Sequence, residues 1–135
     1  MRFLVMAVAA KESESAAPPK PETYVAMQQY NQKAAKDGVL LAAEGLTPTS
    51  KGARVRFQHD EHIVIDGPFA ESKEVVAGFM IIKAKSLAEA IEWVKRAPNC
   101  SPNGKGEVEI RKLMDIEDFG EGVVPNEEIA KVKFK

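Results

Sequence analysis

The sequence predicts one α+β domain of the ferredoxin-like kind, a split βαβ unit with an inserted β-hairpin. Three observations lead to this fold class. Two long apolar runs have the composition of interior strands, and two other segments repeat apolar residues at helical spacing. Between the two halves, a short segment that alternates apolar and polar residues is followed by a second short strand-like segment. Together the two segments predict the hairpin. A chain of 135 residues fits one such domain.

The first half supplies a strand, a helix and a second strand. An eight-residue apolar run over residues 3–10 is too short for a secretory signal and predicts a strand over residues 2–9 that is buried on both faces. A Pro-rich loop follows, and Pro21 suits the first position of a helix. Asp37-Gly38 ends that helix, because glycine readily adopts the left-handed cap. Residues 39–43 form the second strand, which is again apolar.

The insertion is predicted from alternation. Val55 and Phe57 alternate with arginines, which indicates a half-buried strand, and residues 62–65 return as its partner. Asp66-Gly67-Pro68-Phe69 stops the returning strand, since Gly and Pro are poor ladder residues. The hairpin therefore lies between two strands of the main sheet.

The second half repeats strand, helix and strand. Residues 75–84 are the longest apolar stretch and predict an interior strand. Ser86 and Glu89 have the spacing of a capping box, followed by an amphipathic stripe that ends near Pro98. Alternation over residues 107–111 predicts a last strand with one solvated face.

Composition excludes several function classes. The formal net charge is −1, with 19 basic and 20 acidic residues, and no basic block provides a footprint for nucleic acid. No segment approaches the roughly 20 apolar residues that a membrane span requires. Cys100 is the single cysteine, which excludes an internal disulfide framework and predicts a reducing, cytoplasmic location.

The predicted sheet has one face without a cover. Two helices can cover one face, and the other would leave apolar side chains bare in a monomer. We therefore expect a homodimer that packs sheet to sheet. Residues 115–135 form a C-terminal tail with several apolar side chains, which we expect to dock on the domain or on the partner.

The strand-ending motif also carries a family resemblance. The stretch Asp66-Gly67-Pro68-Phe69-Ala70-Glu71-Ser72-Lys73-Glu74 resembles the signature of the YCII-related, or DGPF-motif, domain family. Residues 38–40, 44–46 and 78–79 are similar to that family as well, and the resemblance covers residues 1–114. It implies a dimeric α/β barrel, which agrees with the strand order derived above.

The resemblance implies less about chemistry. Many members of the family have no assigned activity, and some are adjacent or fused to extracytoplasmic-function sigma factors. Other proteins of the superfamily are small lyases, isomerases or cofactor-free oxygenases that act on ring compounds. A shorter branch carries a histidine on the first helix, and Met27 stands at the matching position here. The acid–base pair proposed for that branch is therefore not transferred to this chain.

Two carboxylates are the candidate catalytic residues. Asp66 lies in a motif crowded with ionisable groups at the end of a strand, where burial and neighbouring charges can tune a general base. The same residue can instead accept backbone hydrogen bonds in an ordinary turn. Glu44 follows an apolar strand, so that it either points into a pocket or is solvated at the strand end.

The candidate ligand-binding residues come from the first helix, the hairpin and the motif. They are Met27, Tyr30, His62, Phe69, Glu71 and Lys73. Met27 and Tyr30 share a helical stripe, and residues at such spacing are more often plain core. His59-Asp60-Glu61-His62 contains four possible metal ligands, but a hairpin turn is polar in any case, and we expect neither a metal nor a cofactor.

Three hypotheses about function remain open at this point. The first is a homodimeric domain that binds a small molecule between its helices and its sheet. The second is a metal-independent lyase or isomerase with Asp66 or Glu44 as the general base. The third, which rests on the resemblance, is a regulatory module linked to a sigma-factor system.

Overall fold

The computed structural model describes residues 1–10, 20–69, 74–101 and 104–119. It contains six strands and two α-helices within those ranges: β1 (Arg2–Ala10), α1 (Pro21–Lys36), β2 (Leu40–Gly45), β3 (Ala53–Gln58), β4 (Glu61–Asp66), β5 (Glu74–Lys83), α2 (Leu87–Lys95) and β6 (Glu107–Lys112). Short 3₁₀ helices occupy Thr49–Lys51 and Ile116–Phe119.

Four strands form one sheet in the order β2-β5-β1-β6, with every neighbouring pair antiparallel. This order, with a helix after β1 and another after β5, confirms the predicted ferredoxin-like α+β fold. The strands β3 and β4 pair only with each other in a separate two-stranded sheet. The hairpin is therefore an insertion, as the sequence predicts.

Local chemistry explains where the helices begin and end. Pro21 is the first residue of α1, and Gly38 follows its end with a φ of 76°, a conformation that a residue with a side chain rarely adopts. At the start of α2, Ser86 Oγ accepts from the Glu89 backbone N–H at 3.2 Å. The Glu89 carboxylate accepts from the Lys85 backbone N–H at 2.6 Å, which completes the cap.

The core lies between the helices and one face of the four-stranded sheet. Its most buried members are Phe3, Val5, Ile82 and Ala90, all at most 3% exposed. Half-buried side chains complete it: Val39, Leu40, Met80, Trp93, Val94 and Ile110. Burying this set is the main favourable contribution to folding.

The opposite face of the sheet is apolar at its centre. The register pairs Leu4 with Ile81 and Met6 with Phe79, so these four side chains lie together across β1 and β5. All four are half-buried, and none is fully buried. We call this surface, together with Val8 on β1, the open sheet face.

The hairpin corrects one prediction from the sequence. Val55 and Phe57 were expected to be half-buried, but they are 51% and 72% exposed, and β3 contains no buried residue. Val64 on β4 is 65% exposed. The predicted alternation of side chains between the two faces is present, because Val55 pairs with Val64 on one face of the hairpin. That face simply has no cover within the described part of the chain.

Neither α1 nor α2 has the length and apolar character that crossing a bilayer requires, and the described ranges contain no other α-helix.

Candidate functional site

A surface groove of about 620 Å³ lies between α1 and β2. Its lining residues are Tyr24, Met27, Gln28, Asn31, Gln32, Ala35, Leu40 and Ala43. Apolar side chains and three carboxamides share this lining, and it contains no charged residue among those described. We call it the α1–β2 groove.

The sequence builds the groove from two periodicities. On α1, residues 27, 28, 31 and 35 lie three, four, seven and eleven positions after Tyr24, so they share one helix face. On β2, Ala43 pairs with Met80, which belongs to the core side of the sheet. The groove therefore lies at the outer edge of the contact between α1 and the sheet. It is open to solvent there because β2 is an edge strand of the described sheet.

Met27 and Tyr30 do not have the same environment. Met27 is half-buried and lines the α1–β2 groove, and its assignment as a ligand-binding residue stays a prediction. Tyr30 is not among the lining residues. Its hydroxyl donates to the Trp93 carbonyl oxygen at 2.8 Å, and burial raises the pKa of this hydroxyl, with a partial opposing effect from the charge of Arg96. Tyr30 therefore joins α1 to α2.

The two candidate carboxylates lie away from the groove. Glu44 is exposed and pairs with Phe79, so its side chain lies on the open sheet face, whereas its neighbour Ala43 faces the groove. Asp66 is exposed at the end of β4, paired with Ala53. The described part of the structure thus brings neither carboxylate to the groove.

The motif around Gly67 anchors the base of the hairpin. The Gly67 N–H donates to the Gly52 carbonyl oxygen at 3.0 Å, and a Cβ at position 67 would lie 1.7 Å from the Thr49 carbonyl oxygen. The Gly67-Pro68 peptide bond is cis. Phe69 is half-buried, and the Arg54 guanidinium lies 4.1 Å from its ring centroid, a cation–π contact. Glu71 and Lys73, two other candidate ligand-binding residues, lie outside the described residues.

His62 is placed on the hairpin and not in a cavity. It is exposed, and its ring meets that of Phe57 edge to face at a centroid distance of 5.0 Å. His59 adopts a positive φ of 55° in the two-residue turn. Across the residues that the structure describes, no three His, Cys, Asp or Glu side chains converge as metal ligands would.

The carboxamides of the groove were not among the residues predicted from the sequence. That analysis looked for ionisable groups, and Gln28, Asn31 and Gln32 do not ionise. A signal was nevertheless present, because Asn31 follows Met27 by four residues, and Gln28 and Gln32 follow Tyr24 by four and eight. Neutral polar residues beside a stripe of core residues indicate positions at the edge of the core, where side chains contact both solvent and a surface groove.

The only cysteine is a free thiol. Cys100 is half-buried in the loop after α2, and burial raises the pKa of its thiol. A raised pKa disfavours the thiolate, so this residue lacks the activation that a nucleophile needs.

Comparison with known proteins gives two matches. The sequence profile of the YCII-related domain family matches residues 1–117. A protein of Rhizobium meliloti (strain 1021), named "Uncharacterized protein R00369", is 37% identical over 87 residues, which cover 64% of this chain and 69% of the relative. The name of this relative assigns no activity.

Proposed function

The chain belongs to the YCII-related domain family, and from this premise we propose that it is a homodimeric small-molecule-binding domain. The observation that carries the proposal is the α1–β2 groove, with its apolar side chains and neutral amide rim. Its volume of about 620 Å³ admits a small molecule, and the site is a groove open to solvent rather than an enclosed pocket. The groove lies between a helix and the sheet, where the sequence analysis expects a cavity.

The lining favours an uncharged ligand that has an apolar ring and an amide-like polar group. Met27, Leu40 and Ala43 offer apolar contact area. Each carboxamide of Gln28, Asn31 and Gln32 offers both donors and an acceptor, which complement a lactam or primary amide. A charged ligand would lose hydration without gaining an opposite charge among the described lining residues, which is costly.

The proposed dimer rests on the open sheet face. Leu4, Met6, Phe79 and Ile81 form an apolar surface on the side of the sheet away from the core cluster. A second copy packed on this face would remove it from water, and the same patch on both copies gives a two-fold interface. The free thiol of Cys100 is consistent with the cytoplasmic location that we also propose.

The enzyme hypothesis requires a carboxylate that faces a substrate pocket. Glu44 and Asp66 are both exposed and outside the α1–β2 groove, so no feature of the described residues favours it over binding alone. The hypothesis of a regulatory module with a sigma-factor partner rests on the family resemblance, and no feature of the described residues favours it either.

Thermal unfolding with paired neutral and charged ring compounds tests the proposal. We expect benzamide at millimolar concentration to raise the Tm of the full-length protein and benzoate to leave it unchanged. At ten times its Kd, a ligand selective for the folded state stabilises it by about 1.4 kcal/mol, or a few degrees in Tm. Gln28→Leu should abolish the shift, because it removes a rim amide and preserves the helix.

A neighbouring glutamine supplies the control. Gln29 is exposed on the same helix but does not line the groove, so Gln29→Leu should retain the full benzamide shift. Equal loss in both variants would place binding elsewhere. No shift with benzamide or with a wider set of neutral lactams would contradict the proposed ligand class, and no shift with any small molecule would contradict binding itself.

A further inference from the structure

The face of the hairpin that carries Val55, Phe57 and Val64 is the most exposed apolar surface that we find among the described strands. The register places Val55 opposite Val64, and Phe57 opposite His62, so all four side chains lie on one face. The three apolar residues are 51%, 72% and 65% exposed, respectively. The other face is only partly covered, since Ile63 is 42% exposed and Ile65 is half-buried.

Such a hairpin requires a cover. A two-stranded hairpin alone is at best marginally stable in water, and a third strand, a helix or a partner normally supplies its hydrophobic contacts. Neither β3 nor β4 contains a buried residue. Contiguous apolar side chains on a strand pair, exposed to this extent, also mark an interaction surface.

The hairpin is continuous with the open sheet face. It connects β2 to β5, which are paired strands of the four-stranded sheet. Beyond the end of β2, the Leu46 N–H still donates to the Ala77 carbonyl oxygen of β5 at 2.9 Å. The hairpin therefore extends from the end of the sheet where β2 finishes.

The area that a stable dimer needs points to a second copy as the occupant. A standard interface removes about 800 Å² from each partner. The side chains at the centre of the open sheet face are half-buried by their own neighbours, so each offers only part of its surface to a partner. A phenylalanine that is 72% exposed adds substantially, since an aromatic side chain buries roughly 150–250 Å². In a two-fold dimer both copies contribute a hairpin, so each partner's share of the buried surface includes this phenylalanine.

We infer that the β3–β4 hairpin is an interface arm, which packs Val55, Phe57 and Val64 against a second copy of the chain. This inference rests on the proposed homodimer and extends its contact beyond the open sheet face. It assigns the inserted hairpin a role in assembly, and it places the motif around Gly67 at the base of that arm.

Amide hydrogen exchange at two protein concentrations tests the inference directly. The full-length protein is labelled at one concentration well above the dimer Kd and one well below it, with the Kd taken from sedimentation equilibrium. We expect the amides of residues 53–66 to exchange at least tenfold more slowly at the higher concentration. Amides of α1, on the opposite side of the sheet, should not depend on concentration and serve as the internal control.

The other occupants give different results. Protection of the hairpin that does not change with concentration would mean that the hairpin is protected within a single copy of the chain, and would overturn the inference. A dimer whose hairpin exchanges equally fast at both concentrations would also overturn it but would leave the proposed homodimer intact. A monomer at every concentration would refute the homodimer and the arm together.

Substitution of the arm gives an independent measurement. Phe57→Ser and Val64→Ser should each raise the dimer Kd at least tenfold, because both remove apolar contact from the interface. Val25 on α1 is 52% exposed, similar to Val55, and Val25→Ser should leave the Kd unchanged. Circular dichroism establishes that each variant retains its fold. Since Phe57 is largely exposed, a folded Phe57→Ser with the wild-type Kd would overturn the inference.

Discussion

At Gly67 the backbone passes so close to Thr49 that a side chain has no room. The Cβ of any other residue would lie 1.7 Å from the Thr49 carbonyl oxygen and 3.3 Å from that of Gly52. The obstacle is main chain, which cannot rotate away as a flexible side chain can. The glycine of the motif is therefore required by packing at the base of the hairpin, independently of any role in ligand binding.

Gly67→Ala should consequently destabilise the protein. Forcing a methyl group into packed backbone typically costs about 1–3 kcal/mol. Gly45→Ala is the matched control, because a Cβ at position 45 would meet nothing within 4 Å. Urea unfolding followed by circular dichroism measures both. A Gly67→Ala protein with the same midpoint as Gly45→Ala would show that the turn relaxes without cost.

The sequence predicted part of this residue-scale picture. Gly67 and Pro68 were expected to end a strand, and they do so after Asp66. The contact with Thr49 was not predicted, because it joins residues on the two sides of the hairpin and depends on tertiary structure. For the same reason the sequence could not decide whether Glu44 enters a pocket. Its β2 register places it on the opposite face from Ala43.

At the scale of elements, a single side chain joins the two helices. Tyr30 of α1 donates its hydroxyl proton to the carbonyl oxygen of Trp93 in α2. That carbonyl also accepts from the Arg96 N–H at 3.2 Å, so it keeps one partner when the phenol is removed. Tyr30→Phe should therefore reduce the free energy of unfolding by about 0.5–1.5 kcal/mol, the usual contribution of one hydrogen bond.

Tyr24→Phe provides the control, since Tyr24 lies on the same helix and is 58% exposed.

The pH dependence of the free energy of unfolding provides a second test of the Tyr30 hydrogen bond. Burial raises the Tyr30 pKa above its ordinary value of 10.0, so the folded state favours the neutral phenol. This stabilising contribution of Tyr30 is fully present at a pH below the pKa that its phenol has in the unfolded chain. It is lost as the pH rises through the higher pKa of the folded protein. The deficit of Tyr30→Phe should thus shrink above about pH 10. A deficit that is constant across this range would contradict the assignment.

The elements themselves were largely predictable from local signals. The helix from Pro21 to Lys36 was expected from proline at its start and glycine after its end. The cap at Ser86 followed from its spacing to Glu89. Burial of the hairpin was not predictable. Alternation tells which side chains share a face, as Val55 and Val64 do, but it carries no information on whether another element covers that face.

At the scale of the whole molecule, two uncovered apolar surfaces are linked through the chain. The hairpin arm connects β2 and β5, which are paired strands of the sheet that carries the open sheet face. The α1–β2 groove, in contrast, is on the core side of the sheet, since Ala43 pairs with Met80. The proposed dimer interface and the proposed ligand site therefore lie on different faces of the domain. A variant that abolishes the dimer through the open sheet face should leave the groove and its ligand preference unchanged.

Met6→Lys tests the sheet-to-sheet packing on which this arrangement depends. Met6 lies on the central strand β1, opposite Phe79 on one side and Glu109 on the other. In a monomer the lysine reaches water beside the Glu109 carboxylate, so the fold should persist. In a two-fold dimer both ammonium groups would be taken out of water in the contact, a desolvation cost that pairing with Glu109 does not fully repay. Sedimentation equilibrium should therefore show a folded monomer. Val25→Lys, at an exposed position of α1, should remain dimeric. A Met6→Lys protein that dimerises with the wild-type Kd would exclude the open sheet face as the interface.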